Sequence, residues 1–190
     1  MWNSQVIIML LEGIRDTLYM TLASTLFGYI IGLPMGIVLT VTDKDGIRPN
    51  AAVYKVLDVI SNLLRSIPFI ILLIVLIPFT RFVVGRSYGS TATIVPLTIA
   101  AAPYIARMVE SSLKEVDAGV IEAARSMGAS DFQIVTKVML VEARTSLIVG
   151  ATISLGTILG YSAMAGTVGG GGLGDIAIRY GSVSYTHLRA

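Results

Sequence analysis

Cysteine is absent from this sequence, and histidine occurs once, as His187 close to the C-terminus. Without cysteine the chain forms no disulfide, no thiolate metal site and no cysteine nucleophile. A lone histidine near the terminus also weakens the case for a histidine metal site or a histidine base. Charge is scarce as well: Asp, Glu, Lys and Arg make up 14% of the 190 residues, against about a quarter in soluble chains.

Apolar side chains are what the sequence has in quantity. Hydrophobic residues make up 54% of the chain, and the mean hydropathy is +0.79. A soluble domain of this length cannot hide so much apolar surface, so soluble globular and disordered chains are both excluded. The net charge is +2, and no run of basic residues indicates a nucleic-acid partner. We therefore predict a single membrane-embedded domain.

Long uncharged stretches predict membrane-spanning helices, because a bilayer core needs about 20 apolar helical residues. Four spans are predicted, at about 17–42, 57–80, 87–106 and 145–168. The second has this length only if it tolerates the charged Arg65. Period-two alternation is absent, which argues against a transmembrane barrel. The expected fold class is an all-α polytopic helix bundle, and its longest connection is the loop 107–144.

The distribution of basic residues predicts the orientation, because Lys and Arg concentrate in cytoplasmic loops. One side of the predicted topology carries eight of them, and the other side carries Arg15, Arg81, Arg86 and Arg179. The eight are Lys44, Arg48, Lys55, Arg107, Lys114, Arg125, Lys137 and Arg144. The loop 107–144 is therefore predicted to be cytoplasmic, and the N-terminus to lie outside.

Glycines repeat at a spacing of four in the first and fourth spans, as Gly28, Gly32 and Gly36 and as Gly156 and Gly160. Such rows let helix backbones approach closely, and packing within the chain is the simplest interpretation. No acidic residue lies in the middle of a predicted span. This absence argues against a proton-coupled or sodium-coupled secondary transporter, in which ionisable groups line the route.

The loop between the third and fourth spans has the pattern of two short helices joined by a turn. Asp117 is placed to cap a helix over 118–127, which Gly128 ends. Ser130 and Gln133 form a capping box that begins the second helix. The apolar face of that second helix is predicted to contain Phe132, Val135, Val138 and Met139. The pattern leaves two interpretations open, a helix lying on lipid and a docking site for a protein.

Within this loop, Glu122-Ala123-Ala124 is followed by three residues, then Gly128, nine residues, and Val138-Met139-Leu140. This spacing resembles the EAA loop of ABC importer permeases, although Val141 stands where the family has proline. Five further stretches are similar to the permease subunits of methionine-uptake ABC transporters: 65–73, 94–97, 102–110, 160–164 and 171–174.

The resemblance implies that Glu122, Ala123, Ala124 and Gly128 belong to a coupling helix that sits in a cleft of a separate ATPase subunit. Gly128 would make the tight turn that a side chain opposes. No cofactor is then expected on this chain, because the ATPase binds ATP and Mg²⁺. The resemblance further implies a homodimer of permeases in the lipid of the bacterial inner membrane. An extracytoplasmic solute-binding protein would deliver methionine or a close analogue.

Tyr161, Ser162 and Met164 lie in the middle of the fourth span, which the resemblance places beside the central axis of the dimer. They are candidates for the pathway or its gate, and ordinary packing is the alternative interpretation. Arg65 is a fourth candidate, beside the inner end of the pathway. Its alternative is a long side chain that reaches to the membrane interface.

A G-x-G-x-x-G match occurs at Gly169, Gly171 and Gly174. No predicted strand precedes it and no P-loop lysine follows it, so the context of a nucleotide site is missing. We expect a flexible or re-entrant turn at the outer face instead.

Permeases of this type have five spans and four are predicted here, so a fifth span is expected to be missing. The permease domain is expected to cover residues 1–181. Residues 182–190 no longer resemble the family and are expected to be a non-native tail, so His187 is left out of the functional residues. Two other functions remain open: an importer permease for another amino acid, and a membrane channel or scaffold that uses no ATPase.

Overall fold

The structure, a computed structural model, describes the backbone of residues 4–187 and the side chains of residues 4–181. Within these residues the chain is helical and contains no strand, which agrees with the predicted all-α bundle. In chain order the helices are α1 (Ser4–Thr42), α2 (Ala51–Ser66), α3 (Phe69–Val75), α4 (Ile77–Val84), α5 (Ser90–Lys114), α6 (Ala118–Ser126), α7 (Asp131–Gln133), α8 (Leu140–Glu142), α9 (Arg144–Ala165) and α10 (Gly172–His187). A π-helical segment, Ile134–Met139, joins α7 to α8, and a 3-10 turn, Gly166–Val168, follows α9.

Three of the described helices are long and apolar enough to cross a membrane: α1, α5 and α9 with its extension to Val168. The pair α2 and α3 passes the same test together, as a span bent by 103°. Helix α1 begins at Ser4, well before the predicted span at 17–42. Helix α5 runs to Lys114 and so includes two turns that were assigned to the loop 107–144. Both extensions contain charged residues, because helix formation does not require an apolar side chain at every position.

The predicted second span, at 57–80, is not one straight helix. Helix α2 ends at Ser66, and the chain breaks at Pro68 before α3 begins. Proline lacks a backbone N–H and drives the preceding residue out of the helical region, so a break here follows from local sterics. A second interruption separates α3 from α4, and Gly85 ends α4 with a left-handed φ of 80°.

The described residues form two compact units, each with its own packing. The first consists of the chain up to Phe27, residues 67–100 and the chain from Leu155 onward. The ring of Phe69 stacks on that of Tyr161 with a centroid distance of 4.8 Å and an interplanar angle of 5°. The buried core beneath this stack contains Met20, Phe69, Leu73, Leu97 and Ala165.

The second unit consists of residues 28–66 and 101–154. Its central feature is the close approach of α1 to α5 along Gly28, Gly32 and Gly36. A Cβ atom on Gly36 would lie 2.5 Å from the carbonyl oxygen of Ala106, so nothing larger than hydrogen fits there. The prediction that this glycine row packs within the chain is therefore confirmed.

Candidate functional site

Residues 115–143 connect α5 to α9 and are called the knob below. The Asp117 carboxylate caps α6 by accepting a hydrogen bond of 2.8 Å from the N–H of Gly119. Helix α6 ends at a turn in which Gly128 has a φ of 81°, in the left-handed region that glycine enters without strain. The predicted N-cap and the predicted glycine turn are both confirmed.

The second helix of the knob begins with the predicted capping box. The N–H of Gln133 donates to Ser130 Oγ at 3.4 Å, and the N–H of Ser130 donates to Gln133 Oε1 at 2.9 Å. The next turn and a half is π-helical, which rotates the side chains away from the α-helical pattern. Phe132 is 77% exposed whereas Val135 and Met139 are buried, so the prediction that they share one apolar face is wrong. The buried side chains of the π segment are Ile134, Val135 and Met139.

The residues of the Glu-Ala-Ala motif lie in different surroundings. Glu122 and Ala123 are exposed on α6, whereas Ala124 is 4% exposed and packs inside the knob. The carbonyl oxygen of Ala124 accepts a hydrogen bond of 3.1 Å from the N–H of Ala129, across the glycine turn. The small size of Ala124 therefore serves packing within the knob, and the surface of α6 is formed by its neighbours.

Two large apolar side chains stand exposed on either side of Gly128. Met127 is 82% exposed and Phe132 is 77% exposed. Exposed apolar groups beside polar ones are typical of surfaces that bind another protein. We call this part of the knob the docking surface, and it comprises Glu122, Ala123, Met127, Gly128 and Phe132.

Arg125 attaches α6 to the segment between α1 and α2. Its Nη2 donates a hydrogen bond of 2.9 Å to the carbonyl oxygen of Ile47 and lies 3.6 Å from Asp131 Oδ1. Beside this contact lies a cavity of about 450 Å³, whose wall includes Glu122 and Lys114. The knob is therefore bound to the rest of its unit by polar contacts as well as by apolar packing.

A second polar cluster, which we call the charge network, joins α2, α5 and the end of α1. Its members are Asp43, Tyr54, Asp58, Arg107, Glu110 and Lys114. The hydrogen bond from Lys114 holds the pKa of Asp43 below its usual value, against the smaller effect of burial. This cluster was not predicted from the sequence. Its signal was the spacing of four that places Tyr54, Asp58 and Asn62 on one face of α2.

The pathway candidates on α9 point in different directions. Ser162 is 1% exposed, donates to the carbonyl oxygen of Leu159 at 2.8 Å, and lies 3.5 Å from Thr21 Oγ1. Tyr161 is half-buried in its stack, and Met164 is 47% exposed. Of the three, Met164 is the side chain that α9 presents outward.

Arg65, the fourth pathway candidate, lies exposed in the last turn of α2, next to the break at Pro68. A long basic side chain at a helix end can reach water while its stem remains in an apolar region. The position is compatible with both interpretations drawn from the sequence.

The glycine-rich stretch forms an ordered turn between the 3-10 turn and α10. The N–H of Gly170 donates to the carbonyl oxygen of Ala165 at 3.0 Å, and the N–H of Leu173 donates to Thr17 Oγ1 at 2.9 Å. These hydrogen bonds attach the turn to the end of α9 and to α1, and the expectation of a flexible or re-entrant turn stays a prediction. Within the described residues, no group of three or more His, Asp or Glu side chains is gathered as a metal site.

The helices and the knob define a helical membrane protein, and its similarity to known proteins shows its class. The sequence pattern of the family described as "Binding-protein-dependent transport system inner membrane component" matches residues 17–183. The chain belongs to this family.

Two relatives carry the comparison further. The chain is 48% identical over 177 residues to the probable D-methionine transport system permease protein MetI of Vibrio cholerae, covering 93% of this chain and 79% of the relative. It is 54% identical over 158 residues to the D-methionine transport system permease protein MetI of Escherichia coli K12, covering 83% and 73%.

Solved structures agree with the sequence comparison. A chain of the MetNI methionine ABC transporter in an inward-facing conformation superposes with a TM-score of 0.94 at 52% identity. The match covers 97% of this chain and 85% of that chain. An amino acid ABC transporter at 22% identity, with a TM-score of 0.75, shares the fold.

Proposed function

We propose that this chain is the membrane-spanning permease subunit of an ATP-driven importer for methionine and close analogues. The observation that carries the proposal is the identity of about half over most of the chain to D-methionine permeases, together with a TM-score of 0.94 to a methionine ABC transporter. The permease forms the route for the solute and performs no chemistry itself. ATP and Mg²⁺ belong to a separate ATPase subunit, so this chain binds no cofactor.

The docking surface is the proposed contact with that ATPase. It offers an exposed carboxylate on Glu122, a small side chain at Ala123, and the two exposed apolar groups beside Gly128. Closure of the ATPase around ATP would pull on this surface and move the spans from an inward-open to an outward-open arrangement. Ala124 packs inside the knob and so keeps α6 in place when the ATPase pulls on it.

A second copy of the permease is the proposed partner of α9. Among the described residues, a Cβ atom on Gly156 or on Gly160 would meet no heavy atom within 4 Å, so that face is open to a close neighbour. Met164 is exposed one turn further along α9. It is the proposed gate residue, since a flexible thioether closes an irregular gap well. Tyr161, Ser162 and Arg65 would support the pathway from behind or from its inner end.

The proposed setting is the bacterial inner membrane, with lipid around the spans, the N-terminus outside and the knob in the cytoplasm. The excess of Lys and Arg on the side of the knob supports this orientation. An extracytoplasmic solute-binding protein would deliver the amino acid to the outer face.

The test uses a glycine outside the knob as a matched control. Gly128 and Gly85 have φ angles of 81° and 80°, and at either position a Cβ atom meets no atom of residues 4–181 within 4 Å. Gly128→Trp and Gly85→Trp therefore impose similar backbone strain, of about 1–2 kcal/mol, and differ in location. We expect Gly128→Trp to abolish ATP-driven uptake of labelled methionine and to reduce co-purification of the ATPase, with Gly85→Trp close to wild type.

The wild-type complex, made with its ATPase and solute-binding protein, is assayed in cells that lack another methionine importer. Competition by unlabelled amino acids then tests the solute. Uptake by Gly128→Trp equal to that of Gly85→Trp would sink the docking role. If excess unlabelled methionine does not reduce uptake of labelled methionine by the wild-type transporter, methionine is not its solute.

A further inference from the structure

Two polar stripes face each other in the second unit. On α2 the stripe is Tyr54, Asp58 and Asn62, each four residues after the last, which places them on one side of the helix. On α5 the stripe is Arg107, Glu110 and Lys114, in its last two turns. Contact between the two stripes explains how the charged Asp58 is accommodated among the apolar neighbours that flank it on α2.

Hydrogen bonds and ion pairs connect the two stripes in both directions. Arg107 Nη2 contacts the carboxylate of Asp58 and lies 3.2 Å from Asn62 Oδ1, and Arg107 Nη1 donates to Glu110 Oε2 at 2.6 Å. The hydroxyl of Tyr54 donates to Glu110 Oε1 at 3.3 Å. The register of α2 along α5 is therefore set by directional contacts and not by apolar packing alone.

Lys114 extends the same network to the end of α1. Its Nζ lies 2.8 Å from Glu110 Oε1 and 2.6 Å from Asp43 Oδ2. Lys114 is also the last residue of α5, three positions before Asp117, which caps α6. The network therefore ends where the knob begins, and Arg125 of α6 holds the neighbouring carbonyl group of Ile47.

Burial makes these contacts strong enough to matter. The side chains of Glu110 and Arg107 are 7% and 16% exposed, and Asp58 beside them is 32% exposed, whereas Lys114 at the edge of the network is 41% exposed. Removing one partner of a buried ion pair leaves a charge without compensation, which is far more costly than losing an exposed pair. Lys44 and Asp45, next to the network in sequence, show the contrast, because both side chains are more than 80% exposed at a separation of 3.7 Å.

We propose that the charge network is a positioning element for transport, which makes α2 and the end of α1 move as one body with α5 and the knob. Apolar packing resists separation but is non-directional, and helices joined by it alone can slide. The charged and hydrogen-bonded contacts fix the register of α2 along α5, so a displacement of α6 moves α2 by the same amount. This inference rests on the proposed function, because it assumes that an ATPase acts on the knob.

The prediction is uncoupling rather than loss of ATPase activity. Asp58→Asn keeps the size of the side chain and removes its charge, and Asp45→Asn makes the same change outside the network. We expect Asp58→Asn to lower the number of methionine molecules transported per ATP hydrolysed by about five-fold or more, the lower end of typical coupling between sites. Asp45→Asn should match wild type. The measurement uses the purified complete transporter in proteoliposomes.

A merely structural role would lower assembly and ATPase activity together and would leave the transport ratio unchanged. That result, or a wild-type ratio in Asp58→Asn, would overturn the proposal while the proposed function stands. ATP hydrolysis by the wild-type transporter without methionine uptake would instead reject the proposed function, and the positioning role with it.

Two further variants keep the test decisive. Tyr54→Phe removes one hydroxyl group and replaces Asp58→Asn in the test if that variant fails to assemble. We expect a smaller fall in the number of methionine molecules transported per ATP hydrolysed. The double variant Asp58→Asn/Arg107→Gln should lose less than the sum of its single variants, because both act through one contact. Additive losses would contradict a shared positioning role.

Discussion

The two glycine rows of this chain have the same spacing and opposite surroundings. On α1, Gly28, Gly32 and Gly36 are covered by α5, and a Cβ atom on Gly32 would lie 2.6 Å from the carbonyl oxygen of Ala102. On α9, a Cβ atom on Gly156 or Gly160 would meet no heavy atom of the described part of the chain within 4 Å. One row is closed within the chain, and the other is open.

The difference shows what a row of small residues specifies. The spacing predicts that a helix backbone approaches closely, since small side chains allow contact that larger ones prevent. It does not indicate whether that helix belongs to the same chain or to a neighbour. The free space around the row supplies this information: the row on α1 is used in folding, and the row on α9 is free for the second permease copy proposed above.

The largest expected effect comes from filling the closed row. Gly36→Leu would force a side chain against the Ala106 carbonyl oxygen and the Val109 side chain, so α1 and α5 must separate. We expect destabilisation of about 3 kcal/mol, at the upper end of typical overpacking costs. Thermal unfolding of the purified subunit in detergent measures it. An unfolding temperature equal to that of wild type would show that the close approach of α1 and α5 is not required.

Filling the open row should affect assembly and leave folding intact. Gly160→Leu has room in the subunit, so we expect its stability to change by less than about 0.5 kcal/mol, as at other unconstrained surface positions. The added side chain should weaken association of two permease copies and lower methionine uptake. Crosslinking of the assembled transporter measures the association. Destabilisation as large as that of Gly36→Leu would mean that the face is covered within the chain.

Local signals in the sequence predicted the knob well. Asp117, Gly128 and the capping box at Ser130 act within four residues of sequence, so the physics of each turn is visible in the printed chain. The apolar stretches likewise indicated the long helices α1, α5 and α9. The roles of Glu122, Ala123, Ala124 and Gly128 in coupling stay predictions.

Features that depend on residues far apart in the chain could not be predicted from the sequence. Asp58 is stabilised by Arg107, which lies 49 positions away, and no window of sequence contains both. Phe132 was placed on the same face as Val135, Val138 and Met139 because an α-helical period was assumed through the π segment. The break at Pro68 had a local signal, but the apolar run around it suggested one span.

The smallest predicted effect, a change in unfolding temperature, compares a largely buried carboxylate with an exposed one two residues further along the chain. Asp43 lies beside Lys114 and its side chain is 16% exposed, whereas the side chain of Asp45 is 83% exposed. Lys114 lowers the pKa of Asp43 from its ordinary 3.8. The ionised carboxylate therefore stabilises the folded state at pH values above 3.8, and this contribution is lost as the pH falls through the lower folded-state value.

Asp43→Asn should accordingly lower the unfolding temperature at pH 7, and its deficit relative to wild type should shrink as the pH falls below 3.8. Asp45→Asn should match wild type at every pH, because an exposed pair contributes little. Thermal scans of the three proteins in detergent measure the gap. A deficit for Asp43→Asn that persists unchanged in acid would assign the effect to packing of the side chain, since a charge contribution must disappear when the wild-type carboxylate is protonated.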